Sequence, residues 1–79
     1  MKHKYVRFPT LGFVIWPMTD KVYHYDVARA FAKAERPISA GFVELYEGTV
    51  ACYGKSESLG LHSMSGDSAL LVKQLGLED

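Results

Sequence analysis

Apolar residues between Ile38 and Leu61, in ISAGFVELYEGTVACYGKSESLGL, recur at the spacing of paired strands on either side of Glu47-Gly48. That dipeptide can supply the positive φ of a tight turn, so Ile38–Leu45 and Thr49–Tyr53 are expected to form a hairpin. Along its first strand Ile38, Ala40 and Phe42 share one face, while Val43 and Leu45 point to the other. Gly41 weakens the strand interior and marks a bulge or a place of close backbone approach. Gly54-Lys55 can turn the chain once more into a further strand over Ser56–Leu61. Upstream, Lys4–Phe8 and Leu11–Trp16 are rich in aromatic and β-branched residues, separated by Pro9-Thr10 and stopped by Pro17, and read as one or two strands.

Two segments carry helical spacing instead. Tyr23, Val27, Ala30, Phe31 and Ala34 fall at i, i+4, i+7, i+8 and i+11, with Asp26, Arg29 and Lys33 on the other side, which predicts an amphipathic helix from about Tyr25 to Ala34. Thr19 or Asp20 is a candidate cap, Asp26 an alternative in the first turn, and Arg36-Pro37 ends the segment. Ser65 or Asp67 caps a second helix through Leu75, in which Leu71 and Leu75 lie one turn apart, Lys73 sits near the C-terminal end, and Gly76 takes the stop position with Leu77 packing back. The order β-β-α-β-β-(β)-α is that of an α+β fold, a small antiparallel sheet of four to five strands with both helices expected on one face.

Composition narrows the picture. The 79 residues make room for one domain, 1–79, which buries only roughly 60–65% of the surface of its unfolded chain. Hydrophobic residues at 48% and charged residues at 23% are those of a globular chain. Zero net charge removes the bulk attraction on which non-specific nucleic-acid binding relies. One cysteine, Cys52, allows no internal disulfide or CxxC pair, and no apolar run reaches a signal sequence or a membrane span, so a cytoplasmic protein is expected. Charge is nevertheless segregated: residues 1–36 balance to +4 and residues 37–79 to −4. The halves either neutralise each other in one domain, or leave a basic face on the first helix and N-terminal arm for an acidic partner or a second copy.

Candidate chemistry is sparse. His24, Asp26 and His62 could form an acid–base or metal constellation, but residues two apart on a helix face different sides. Cys52 with His62 as base lacks an oxyanion loop, and a strand cysteine is ordinarily a small buried hydrophobe. Gly54-Lys55-Ser56 lacks the first glycine of a phosphate loop, since position 49 is Thr. Backbone N–H groups at Ser65-Gly66-Asp67 would be occupied by the Asp67 carboxylate itself. No catalytic residue, cofactor or metal is therefore assigned. The aromatic residues are numerous for one sheet face, and Tyr5, Arg7, Phe8, Phe42, Tyr46 and Tyr53, with the cations Arg29 and Lys33, are the expected interaction surface.

The residues ISAGFVE, CYGKSESLGLHS and GDSALLVKQLG, within 38–76, resemble short uncharacterised proteins encoded by phages and prophages of Gram-negative bacteria. The resemblance implies an accessory protein that binds a host or phage protein stoichiometrically, and it carries no functional residue. The expectation is a non-enzymatic protein acting by protein–protein contact, as a homodimer joined along an edge strand of the hairpin or the N-terminal strand. The alternative is a nucleic-acid-binding module using Lys2, Lys4, Arg7, Arg29 and Lys33, or aromatic stacking from the sheet; a small enzyme or metal protein is the third.

Overall fold

The computed structural model describes residues 2–19 and 21–77. Its elements are β1 (Lys2–Phe8), β2 (Gly12–Pro17), α1 (His24–Ala30), β3 (Ser39–Tyr46), β4 (Thr49–Tyr53), β5 (Lys55–Ser56), β6 (Leu61–His62) and α2 (Asp67–Leu75). Four strands form one antiparallel sheet in the order β2-β1-β3-β4, and β5 and β6 pair separately. The α+β fold is as expected from the chain, and so is the turn of the β3–β4 hairpin, where Glu47 (φ 46°) and Gly48 (φ 79°) join Tyr46 to Thr49. The supposed strand over Ser56–Leu61 is instead two short strands folded back on each other, with Ser56 opposite Leu61.

The expected placement of both helices on one face is corrected. Alternation along β1 sends Tyr5 to one face, where it packs with Phe13, Val43, Val50 and Leu71, flanked by Ile15, Leu45, Cys52 and Val72. Val6 and Phe8 point the opposite way and pack with Ala40, flanked by Val14, Trp16, Val27, Leu59 and Leu61. Leu71 and Val72 belong to α2, whereas Val27 belongs to α1 and Leu59 and Leu61 to the β5–β6 hairpin. The helices therefore cover opposite faces. The physical reason is that β1, a central strand of the sheet, carries Tyr5 on one face and Val6 and Phe8 on the other, all fully buried, and each large side chain so buried is worth about 1.5–3 kcal/mol. One helix layer cannot collect that gain from both sides.

Helix α1 is shorter than its spacing suggests and rotated relative to it. Asp26 reaches back to accept from the Tyr23 N–H at 2.8 Å, fixing the start one residue before His24. Thr19 thus lies outside the helix as a cap, and the Asp20 alternative falls outside the described residues. The inward side is His24, Val27 and Ala28 rather than Tyr23, Ala30 and Ala34, which are exposed. The helix ends at Ala30 and gives way to a turn over 31–34, beyond which Glu35 Oε1 accepts from the Thr10 and Leu11 N–H groups at 2.9 and 2.6 Å. These backbone donors hold the Glu35 carboxyl below its usual range. After Leu75, Gly76 (φ 72°) closes α2 as expected, and the Leu77 N–H donates to the Val72 carbonyl, but the Leu77 side chain, expected to pack back, is half exposed.

Both sheet edges are blunted by side chains. On β2 the Gln74 amide imitates a neighbouring strand, its Oε1 accepting from the Phe13 N–H at 2.8 Å and its Nε2 donating to the Phe13 carbonyl at 2.9 Å. Pro17 offers no donor at the other end of that strand. On β4 the Cys52 N–H donates to Ser68 Oγ at 2.9 Å. These contacts compete with the edge-to-edge pairing expected for a dimer, and the N-terminal strand β1 is central rather than an edge. Replacing Gln74 by Ala should cost about 1–2 kcal/mol and make the protein self-associate at concentrations where the parent chain does not. Urea unfolding and light scattering read the two effects. Among the described residues no helix is long and apolar enough to cross a membrane.

Candidate interaction surface

The aromatic and basic residues expected on one surface are dispersed. Tyr5 and Phe8 are fully buried, on opposite faces of the sheet, and are core residues rather than a contact surface. Arg7 is tied to Asp67, Nη1 to Oδ1, at 2.9 Å. Phe42 and Tyr53 adjoin one another on the α1 side, with ring centroids 6.0 Å apart. Tyr46 stands at the tip of the β3–β4 hairpin and is more exposed than Tyr53. Arg29 and Lys33 are exposed on and just beyond α1.

The residues considered for acid–base or metal chemistry are dispersed too. His24 is buried against the rings of Trp16 and Phe42, and because its Nε2 contacts the Gly41 carbonyl at 2.7 Å that nitrogen carries the proton. Burial holds its pKa below the ordinary histidine value and the charge of Lys4 adds to this, against the opposing pull of the Gly41 bond. Asp26 is occupied as a helix cap. Cys52 lies on the α2 face, and burial pushes its thiol up to about 11, so at neutral pH it is not a thiolate. His62 is on β6, over the opposite face. No group of three His, Cys, Asp or Glu positioned to hold a metal ion occurs among the described residues.

One buried polar cluster escaped the reading of the chain. Asp67, in the first turn of α2, is fully buried and accepts from the Tyr5 hydroxyl at 2.6 Å, Arg7 at 2.9 Å and the Met64 N–H at 3.0 Å. Burial alone would raise its pKa, but these donors outweigh it and hold the carboxyl below its usual range. Tyr5 is shifted the opposite way, by burial first and by Asp67 second, and stays a protonated donor. The cluster ties α2 to β1 through three donors converging on one buried carboxylate, the arrangement of a fastener.

What the surface does offer is a groove beside α1. Ala28 and Ala32, one turn apart, leave a shallow floor completed by Pro37 and by Leu59 from the β5–β6 connection, with Tyr25, Arg29 and Arg36 around it, a hollow of about 250 Å³. Its charge is one-sided. Asp26 and Glu35, the acids nearest in sequence, are turned to backbone N–H groups elsewhere, and no ion pair to Arg29, Lys33 or Arg36 is formed among the described residues. A second notch of about 390 Å³ lies between the hairpin tip and the end of α2, lined by Leu45, Tyr46, Glu47, Thr49, Leu75 and Leu77. No protein-family model, curated protein or solved structure matches the chain.

Proposed function

We propose that the chain is a non-enzymatic binding protein that holds another polypeptide in the α1 groove, the partner being an acidic segment with one apolar side chain. The observation that supports this most is the pairing of unneutralised Arg29 and Arg36 with a floor of Ala28, Ala32, Pro37 and Leu59. Guanidinium groups engage carboxylates through paired N–H donors, and the small floor residues admit a leucine- or phenylalanine-sized anchor. Nucleic acid fits less well. Arg7 is committed to Asp67 inside the fold, and α1, α2 and the β5–β6 hairpin cover the middle of both sheet faces, where a base-stacking sheet would receive its strand.

A random peptide display library panned on the protein tests the reading. Acidic peptides carrying Leu or Phe should be enriched, and their affinity should fall at least about tenfold for the Arg29→Glu/Arg36→Glu double variant and weaken with salt. Selection of peptides without acidic bias, or equal binding by the charge-reversed variant, would refute it.

Self-association is a second reading, supported by the exposed Leu75 and Leu77 beside Tyr46. Both sheet faces carry cover, so a bare sheet face does not drive it. Sedimentation at micromolar concentration with the Leu77→Glu variant as control decides it: a dimer abolished by the substitution supports the notch, and a monomer throughout removes it.

A further inference from the structure

A different hollow opens where the β5–β6 hairpin folds back over the sheet. Trp16, His24, Phe42 and Tyr53 follow one another on this face at centroid separations of 5.6, 5.6 and 6.0 Å. Just past Tyr53 the chain turns at Gly54 (φ 80°), where a Cβ would lie 2.9 Å from the Phe42 ring, so the absence of a side chain lets residues 54–58 pass close over it. Between this segment and the start of α1 is a cleft of about 590 Å³, lined by Tyr23, His24, Phe42 and Tyr53 on its ring side and by Ser56 and Ser58 opposite. That size is within the range of small-molecule sites, roughly 300–1,000 Å³.

Lys4 also lines this cleft and is the unusual residue in it. It is only 8% exposed, although lysine is among the residue types least often buried. Its Nζ donates to the Thr19 carbonyl at 2.9 Å and the Val22 carbonyl at 3.1 Å, and lies 5.2 Å from the centre of the Tyr23 ring. An ammonium has three N–H donors. Two are taken by neutral carbonyls, and no carboxylate is paired with Lys4 among the described residues. Glu57, on the rim, is turned to Lys55 instead, at 3.9 Å. The Lys4 charge is answered in part by these carbonyl dipoles and the Tyr23 ring, and one N–H donor is left for an anionic oxygen arriving from the cleft.

We propose that this cleft binds a small organic anion with a flat apolar body, its carboxylate or phosphate oxygen on Lys4 Nζ and its ring against Phe42 and Tyr53. The Tyr23, Tyr53 and Ser58 hydroxyls around the cleft are the further donors for the anionic oxygens, while Ser56, buried, is engaged by Ser58 and by the Leu59 N–H. This site is separate from the α1 groove and does not depend on it.

Amide and side-chain NMR titration of the whole chain tests the assignment with four probes: benzoate, phenyl phosphate, inorganic phosphate and neutral benzamide. Benzoate and phenyl phosphate should give saturable shifts at Lys4, Tyr23, Phe42, Tyr53 and Ser58. Benzamide and inorganic phosphate, each lacking one half of the recognition, should bind at least about tenfold more weakly. Tyr53→Ala should bring phenyl phosphate down to the level of inorganic phosphate. Lys4→Met should erase the preference for charge; since Lys4 also ties Thr19 and Val22, loss of fold in that variant leaves the comparison of probes on the parent chain as the deciding result. Equal binding of benzamide and benzoate, shifts confined to Arg29 and Arg36, or no saturation at millimolar probe would overturn the proposal.

Discussion

Asp67→Asn should cost the protein about 2–4 kcal/mol, read as a lowered urea midpoint at unchanged slope. The substitution keeps the side-chain volume but removes the charge that answers Arg7, and it turns an amide N–H toward donors that need an acceptor. Removing one partner of a buried pair commonly costs about 3–5 kcal/mol, and the figure here is smaller because the Arg7 side chain, 21% exposed, can recover some hydration. A chain of this size has only about 4–12 kcal/mol in total, so the variant forfeits a large share. Tyr5→Phe, which deletes a single donor to Asp67, should cost about 1–1.5 kcal/mol by the same measurement.

Acid should reproduce part of this loss in the parent chain. Asp67 has its pKa depressed by folding, so the unfolded state binds protons first; the stability it contributes is fully present above an unfolded value of about 3.9 and is lost as pH falls through the lower folded value. His24 acts with the same sign at higher pH. Its folded value is also depressed, so its contribution is whole above about pH 6.5 and declines below it. Stability measured against pH should therefore weaken in two stages on acidification, and Asp67→Asn should shrink the lower stage to the share of Glu35 while leaving the upper one in place.

Gly41→Ala is the second large effect, expected to cost at least about 2 kcal/mol. A Cβ at this position would collide with the Tyr53 carbonyl oxygen and approach the Gly54 backbone at 3.3 Å, atoms that a rotamer change cannot move. The same displacement would pull the Gly41 carbonyl from His24, leaving a buried imidazole N–H without an acceptor. Ala at Gly48, where no atom lies within 4 Å of the added Cβ, is the control; it carries only the strain of its φ of 79° and should cost about 1 kcal/mol. Thermal unfolding of the two variants side by side measures the difference.

Gly41 was legible in the chain as a place of close backbone approach, and the Glu47-Gly48 turn and the Gly76 stop were legible because turn chemistry is local. The two-sided sheet was missed, although Ala40 and Phe42 on one side of β3 with Val43 and Leu45 on the other, and Tyr5 on one side of β1 with Val6 and Phe8 on the other, leave large apolar side chains on both faces. An excess of rings then suggests a second cover rather than an exposed surface. The rotation of α1 was hidden because Tyr23, taken as the first apolar position, precedes the helix, whereas His24 does the packing. Nothing local announces Lys4 as a buried cation. Asp67 is disguised as an ordinary helix-start carboxylate, and its partners Tyr5 and Arg7 stand 62 and 60 residues away in sequence.

The covering of the sheet from both sides is what confines binding to the groove and cleft at its margins, and side-chain nuclear Overhauser contacts test it most directly. Leu71 should show contacts to Tyr5 and Phe13 and none to Val6 or Phe8, while Val27 and Phe31 show contacts to Val6 and Phe8 and none to Tyr5. Contacts from Leu71 and Val27 to the same set of β1 side chains would place both helices on one face and contradict the account.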